Sequence, residues 1–245
     1  MGATATARVC CGLALRWPAH SAYGPRRYLV GRATLNQPLV EHLSFRLGNQ
    51  LFFVFVEVEH VVALSGASKR LFLEVSREAN ATPCVLKMQR SGVTFGPTDT
   101  GWSMIDAVTG RGVNPAEMVS DELIEISDWE LQDFAVQIVR TRLEKENKEV
   151  QTWQSSLHID PSIWFEAGAG QCWVVVRGVR YPKLQADRPA NLEDIKSFCA
   201  ERSKTGFFAS VSAANEDDLC EGASHPTPLY RGHPMAVRCE GLEPL

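Results

Sequence analysis

The chain has 245 residues, of which 44% are hydrophobic, 22% charged and 9% aromatic, and its formal net charge is −4 at pH 7. That length and mix suit one large or two small globular domains and exclude an intrinsically disordered chain. The slightly negative balance excludes a protein whose whole surface grips nucleic acid, while leaving room for a local basic patch.

No segment reaches the roughly 20 apolar residues that a bilayer-spanning helix needs. The strongest run, Leu51 to Val58, is already broken by Glu57. Val9 to Leu15 follows a single Arg8 and is too short and weakly apolar for a secretory signal. The seven cysteines (Cys10, Cys11, Cys84, Cys172, Cys199, Cys220 and Cys239) are odd in number, scattered, and free of any C-x-x-C pattern. Such usage points to idle thiols in a reducing compartment, and a cytoplasmic location is expected. Met1-Gly2-Ala3-Thr4-Ala5-Thr6 fits the minimal pattern for N-myristoylation, with Cys10-Cys11 available for palmitoylation. The plainer expectation for residues 1–27 is a disordered leader.

Taken in chain order, Asn36 to Gly48 has apolar residues at Leu39, Val40, Leu43, Phe45 and Leu47, which predicts a short amphipathic helix ended by glycine. Leu51 to His60 is β-branched and aromatic, a buried strand. Ser65 to Ala79 predicts a helix with Leu71, Leu73, Val75 and Ala79 available to the core, and Pro83 to Met88 a second strand. Ser91 to Thr100 is rich in turn residues and predicts a loop, Trp102 to Ala107 a short strand, and Thr109 to Pro115 a connector. The acidic, weakly apolar stretch Val113 to Ser127 suggests a domain boundary, giving an N-terminal α/β domain over 28–118 and a second domain over 119–245.

The second domain is punctuated more sharply. Ser127 or Asp128 can cap a helix whose Leu131, Phe134, Ala135, Ile138, Val139 and Leu143 recur at helical spacing. Val150 to Trp153 and Ile159 to Glu166 are strands, and Gly168-Ala169-Gly170 turns the second of these into a third, Cys172 to Val179. Pro182 and Pro189 bracket a loop. Asn191 is a cap for a helix, Leu192 to Arg202, with Leu192, Ile195, Phe198 and Cys199 on one face. Gly206 to Ala213 is a strand, and Met235 to Cys239 the last one. Strand–helix–strand units of similar length occur in both halves, without a repeat at the level of residues; a common α/β unit accounts for that echo.

The expected fold class is therefore α/β (α+β), with a C-terminal αβββαβ core and a smaller N-terminal domain. That order of elements, with Asp160 early in the second strand and Arg177 on the third, resembles the PD-(D/E)XK, or restriction-endonuclease-like, superfamily over about 110 residues. The resemblance implies an Asp and a Glu-x-Lys on adjacent strands that hold Mg²⁺ through hard oxygen ligands, with a further acid on the first helix. Glu and Lys two apart face the same way on a strand. Asp160 matches the Asp, but Val175-Val176-Arg177 stands at Glu-x-Lys, and Glu130 or Asp133 is the extra acid. Valine cannot ligate Mg²⁺, and a guanidinium cannot act as a base.

The expectation is a degenerate nuclease-like scaffold in which Asp160 and Arg177 form an ion pair, serving as a binding or assembly module such as a mobile element would carry, without a cofactor. One alternative is a Mg²⁺-dependent nuclease with a rearranged site of Asp160, Arg177 and Glu130; Glu166 lies roughly 20 Å along the strand from Asp160 and is a poor substitute. Another is an immunity or adaptor protein whose exposed Trp129, Trp153, Trp164 and Trp173 meet a protein partner. Arg177, Arg180, Lys183 and Arg188 around Tyr181 form a cationic stretch able to contact nucleic-acid phosphates, or else a solvated loop. His158 with Asp160 at i, i+2 is a weak metal pair, to which His225 and His233 add little. No Gly-rich phosphate loop, nucleophile elbow or H-E-x-x-H helix is present.

Overall fold

A computed structural model describes residues 43–59, 63–91, 94–168, 170–216 and 226–245. The predicted leader, its acylation pattern and His225 lie outside the described residues. Two compact units emerge, one from residues 43–124 with Tyr230–Gly232, the other from Glu125–Leu229 with His233–Leu245. Each contains a mixed β-sheet and helices, so the chain is an α/β (α+β) protein. No described helix is long and apolar enough to cross a membrane.

The N-terminal unit runs β1 (Leu43–Leu47), β2 (Gln50–Val58), α1 (Gly66–Glu78), β3 (Thr82–Ser91), β4 (Thr94–Pro97), β5 (Met104–Asp106), β6 (Gly112–Val113) and α2 (Pro115–Met118). Its sheet has the order β1-β2-β3-β5-β6, with β4 pairing on β3. β2 and β3 are parallel across α1, and every other pair is antiparallel. β1 corrects the predicted helix over Asn36 to Gly48, of which residues 36–42 lie outside the described ones. Leu43, Phe45 and Leu47 alternate with Ser44 and Arg46, so period two prevails. The two-residue Gly48-Asn49 turn, with Gly48 at φ 57°, then delivers Leu47 opposite Gln50. The loop predicted over Ser91 to Thr100 contains β4, and the connector Thr109 to Pro115 contains β6. On α1 the buried residues are Phe72, Ser76 and Ala79, not Leu71, Leu73 and Val75, because Phe72 sets the inward face by its edge contact with Phe55 at 6.1 Å. Arg231 is buried and donates to the carbonyls of Ala79 and Asn80, at 3.0 and 2.7 Å, at the negative end of α1.

The C-terminal unit runs α3 (Asp128–Lys145), β7 (Glu149–Trp153), β8 (Ile163–Ala167), β9 (Gly170–Arg180), α4 (Leu192–Ala200), β10 (Gly206–Asn215), β11 (Met235–Cys239) and β12 (Glu243–Pro244). Its sheet has the order β7-β8-β9-β10-β11, with β12 also pairing on β10, so Met235 to Cys239 is not the last strand. β9 and β10 are parallel and their neighbours antiparallel. Side-chain alternation divides the sheet between two helices. Val174, Val176, Ile163, Phe165, Ala209 and Val211 pack with Ala135, Val136, Val139 and Leu143 of α3. Trp173, Val175 and Phe208 point the other way, onto Ile195 and Cys199 of α4. This unit is a three-layer α/β/α sandwich whose central strand is buried on both faces, which is why it reads as a nearly unbroken apolar run. Phe198, predicted on the inner face of α4, is 65% exposed, since the inner line runs through Ile195 and Cys199. Asn191 occupies the N-cap position of α4 but its side chain makes no capping bond.

Candidate functional site

β8 begins at Ile163, three residues after Asp160, which corrects the predicted start at Ile159. Pro161 has no N–H to give to the ladder, and residues 154–162 form a loop beside the free edge of β9. There the backbone of β9 has lost its strand partner and side chains take over. Ser162 Oγ accepts from Val176 N at 3.0 Å. Gln132 of α3 donates from Nε2 to the Val176 carbonyl at 2.8 Å and accepts the Gly178 N–H on Oε1 at 3.1 Å. One buried side-chain amide thus stands in for a strand's peptide group.

Arg177 extends from the α4 side of β9 and meets Asp160 head on: Nη1 to Oδ1 is 3.0 Å and Nη2 to Oδ2 is 2.6 Å. The side chains are only 15% and 8% exposed, so the charges compensate each other out of water. Nη1 also donates to the Val176 carbonyl at 2.9 Å. Val175, two residues earlier on the same face, is wholly buried among Trp173, Ile195, Cys199 and Phe208. Burial pushes the Cys199 thiol up to about 11, with the negative charge of Asp160 adding to the effect.

The other candidate acids are engaged elsewhere. Glu130 closes a capping box with Ser127: Oε2 accepts from Ser127 N at 3.0 Å, while Ser127 Oγ accepts from Glu130 N at 3.2 Å. Asp133 accepts from Ser155 Oγ at 2.5 Å. Glu166, opposite Glu149 and Gln171 near the hairpin end of β8, accepts from Gln151 at 2.8 Å. His158 and His233 are exposed. Among the described residues no group of three or more His, Cys, Asp or Glu is placed to hold a metal ion. The donor set does not fit Mg²⁺, because the central carboxylate position is a core valine and both Asp160 oxygens are taken by Arg177.

Every member of the cationic stretch meets an acid. Besides Arg177 with Asp160, Arg180 pairs with Asp128, lies 3.8 Å from Glu125, and donates to the Ile126 carbonyl at 2.6 Å. Lys183 pairs with Asp187 at 2.5 Å, and Arg188 with Glu243 at 3.1 Å, above the ring of Phe208. The four tryptophans do not form an exposed edge. Trp173 is buried, with its indole N–H on the Ser203 carbonyl at 3.0 Å; Trp129, Trp153 and Trp164 are half-buried. Arg140 covers the ring of Trp153 and Arg202 that of Trp164.

Sequence reasoning missed Gln132 and Gly206. A lone amide among the inward positions Leu131, Ala135 and Val136 was the available signal for the first. The second had none: a Cβ at Gly206 would lie 2.2 Å from the Trp173 ring, a contact between residues 33 apart. Residues 129–245 are similar to a family described as a domain of unknown function, DUF8840. No curated protein and no solved structure matches the chain.

Proposed function

We propose that the C-terminal unit is a restriction-endonuclease-like scaffold without a phosphodiester-cleaving site, and that the protein works by binding or assembly. The observation that carries this reading is the buried, two-bonded pair of Asp160 and Arg177 beside a core Val175. A cleaving site needs carboxylate oxygens turned to a metal in an open cleft; here they are spent on a guanidinium. The order α3-β7-β8-β9-α4-β10 agrees with the αβββαβ arrangement of that superfamily. The pairing of Arg180, Lys183 and Arg188 with acids favours a protein partner over nucleic acid, since phosphate contacts draw on cations free to release counterions.

The test is incubation of the full chain with single- and double-stranded DNA and with RNA, in Mg²⁺ or Mn²⁺, beside Asp160→Asn. No cleavage by either protein is expected. Cleavage that disappears in the variant overturns the reading in favour of a Mg²⁺-dependent nuclease.

A further inference from the structure

Strand register puts the two units into correspondence. In each, an antiparallel hairpin (β1-β2 or β8-β9) leads through a helix to a parallel strand (β3 or β10), followed by an antiparallel one (β5 or β11). Phe53, Phe55 and Glu57 then fall where Trp173, Val175 and Arg177 stand, on the helix-covered face. Lys87 opposes Glu57 as Ser210 opposes Arg177.

At this place, outside the carboxyl ends of the parallel strands, open α/β sheets bind their ligands. The C-terminal unit fills it with its own chain. The connection from β9 to α4 folds back so that Ala186 N–H donates to Ser210 Oγ at 2.8 Å and Ser212 Oγ to the Lys183 carbonyl at 2.8 Å, with Ala186 packed on the α4-side core. The corresponding place in the N-terminal unit is, among the described residues, an open crevice of about 310 Å³. Val85 and Ala107 form its buried floor, and Glu57, Lys69, Lys87 and Asp106 its charged rim.

Those charges are unequally engaged. Glu57 Oε1 accepts the Leu64 N–H at 2.7 Å, and Asp106 Oδ1 accepts those of Val108 and Thr109 at 2.9 and 2.5 Å. Among the described residues no hydrogen bond or ion pair engages the side-chain ammonium of Lys69 or of Lys87. The charged side-chain donors left free at the rim are therefore the two ammonium groups, above an apolar floor.

We propose that this crevice binds a small organic anion, with a phosphate or carboxylate head held between Lys69 and Lys87 and an apolar body on Val85 and Ala107. Lysine is a common point-charge partner for such heads, and the volume lies at the lower end of small-molecule pockets.

The test is calorimetric titration of the full chain, at low ionic strength, with phenyl phosphate, phenylacetate, inorganic phosphate and benzyl alcohol. Saturable binding of phenyl phosphate or phenylacetate is expected, tighter than that of inorganic phosphate or benzyl alcohol; the tighter of the two identifies the head. Lys69→Ala with Lys87→Ala should weaken it about tenfold, and Lys148→Ala should leave it unchanged. Both lysines are exposed, so an unshifted melting temperature verifies that the variant is folded. Absence of saturable binding by both organic anions, or equal affinity in the double variant, overturns the proposal. Equally tight inorganic phosphate removes the role given to the floor.

Discussion

The two units share five elements in the same pairing order, yet they treat the same place in opposite ways. In the C-terminal unit the strand ends are plugged by residues 181–190, and Arg177 is buried against Asp160. In the N-terminal unit the matching residue is Glu57, half-buried beside an open crevice. Neither Ser65 at the start of α1 nor Asn191 at the start of its counterpart α4 makes a side-chain capping bond, whereas α3, which has no counterpart in the N-terminal unit, is tied by a complete capping box. One supersecondary plan thus supports a sealed scaffold and an open, partly charged one. Topology alone does not say which, because function resides in particular side chains rather than in the fold.

The sharpest way to break this contrast is to remove one partner of the sealed pair. Asp160→Ala should cost about 3–5 kcal/mol by leaving Arg177 buried and alone. Asp160→Leu with Arg177→Met should recover much of that loss, and Glu57→Ala should cost about 1 kcal/mol. Urea denaturation reads all three, and a double variant as unstable as Asp160→Ala would sink the description of a compensated pair. Gly206→Ala should cost about 3 kcal/mol, because the Trp173 ring has nowhere to go; the register-equivalent position of the N-terminal unit already holds Pro83.

Gln132→Leu should cost about 2 kcal/mol, since it strands the Val176 carbonyl and the Gly178 N–H. Amide exchange at Gly178 should accelerate in parallel, and unchanged exchange would refute the strand-mimic role. Ser127→Ala should cost about 1 kcal/mol and Ser65→Ala under about 0.5 kcal/mol; equal losses would erase the difference between the two helix starts.

The smallest effect at neutral pH concerns the thiols. Burial, helped by Asp106, pushes Cys84 from the ordinary 9.0 up to about 12. A folded pKa raised in this way contributes stability fully below pH 9 and loses it as pH rises from 9 toward 12, because only the unfolded thiol ionises. Cys84→Ala should flatten that alkaline limb, and the native thiol should resist iodoacetamide at pH 8. Rapid labelling of native protein would contradict its burial.

Much of the C-terminal unit was legible in the sequence. α3, β7, β9, α4, β10 and β11 all fall where periodicity and turn residues put them, and Ser127 was one of two cap candidates for α3, although its reciprocal bonding with Glu130 was not read. The pairing of Asp160 with Arg177 was legible as one of two readings. The N-terminal unit was harder: Leu43, Phe45 and Leu47 fit helix and strand spacing alike, and β4 and β6 are only 4 and 2 residues long, held by partners distant in sequence.

By itself the sequence determined where apolar runs alternate, where the helices of the C-terminal unit start, and that no carboxylate stands at residue 175, since these depend on residues within a turn or a strand of one another. Tertiary structure decided the rest: that Gln132 completes the edge of β9, that Trp173 requires Gly206, that four cations of one stretch find acids, and that Lys69 and Lys87 flank an opening. Those are meetings of groups brought together by folding, and local propensity carries no information about them.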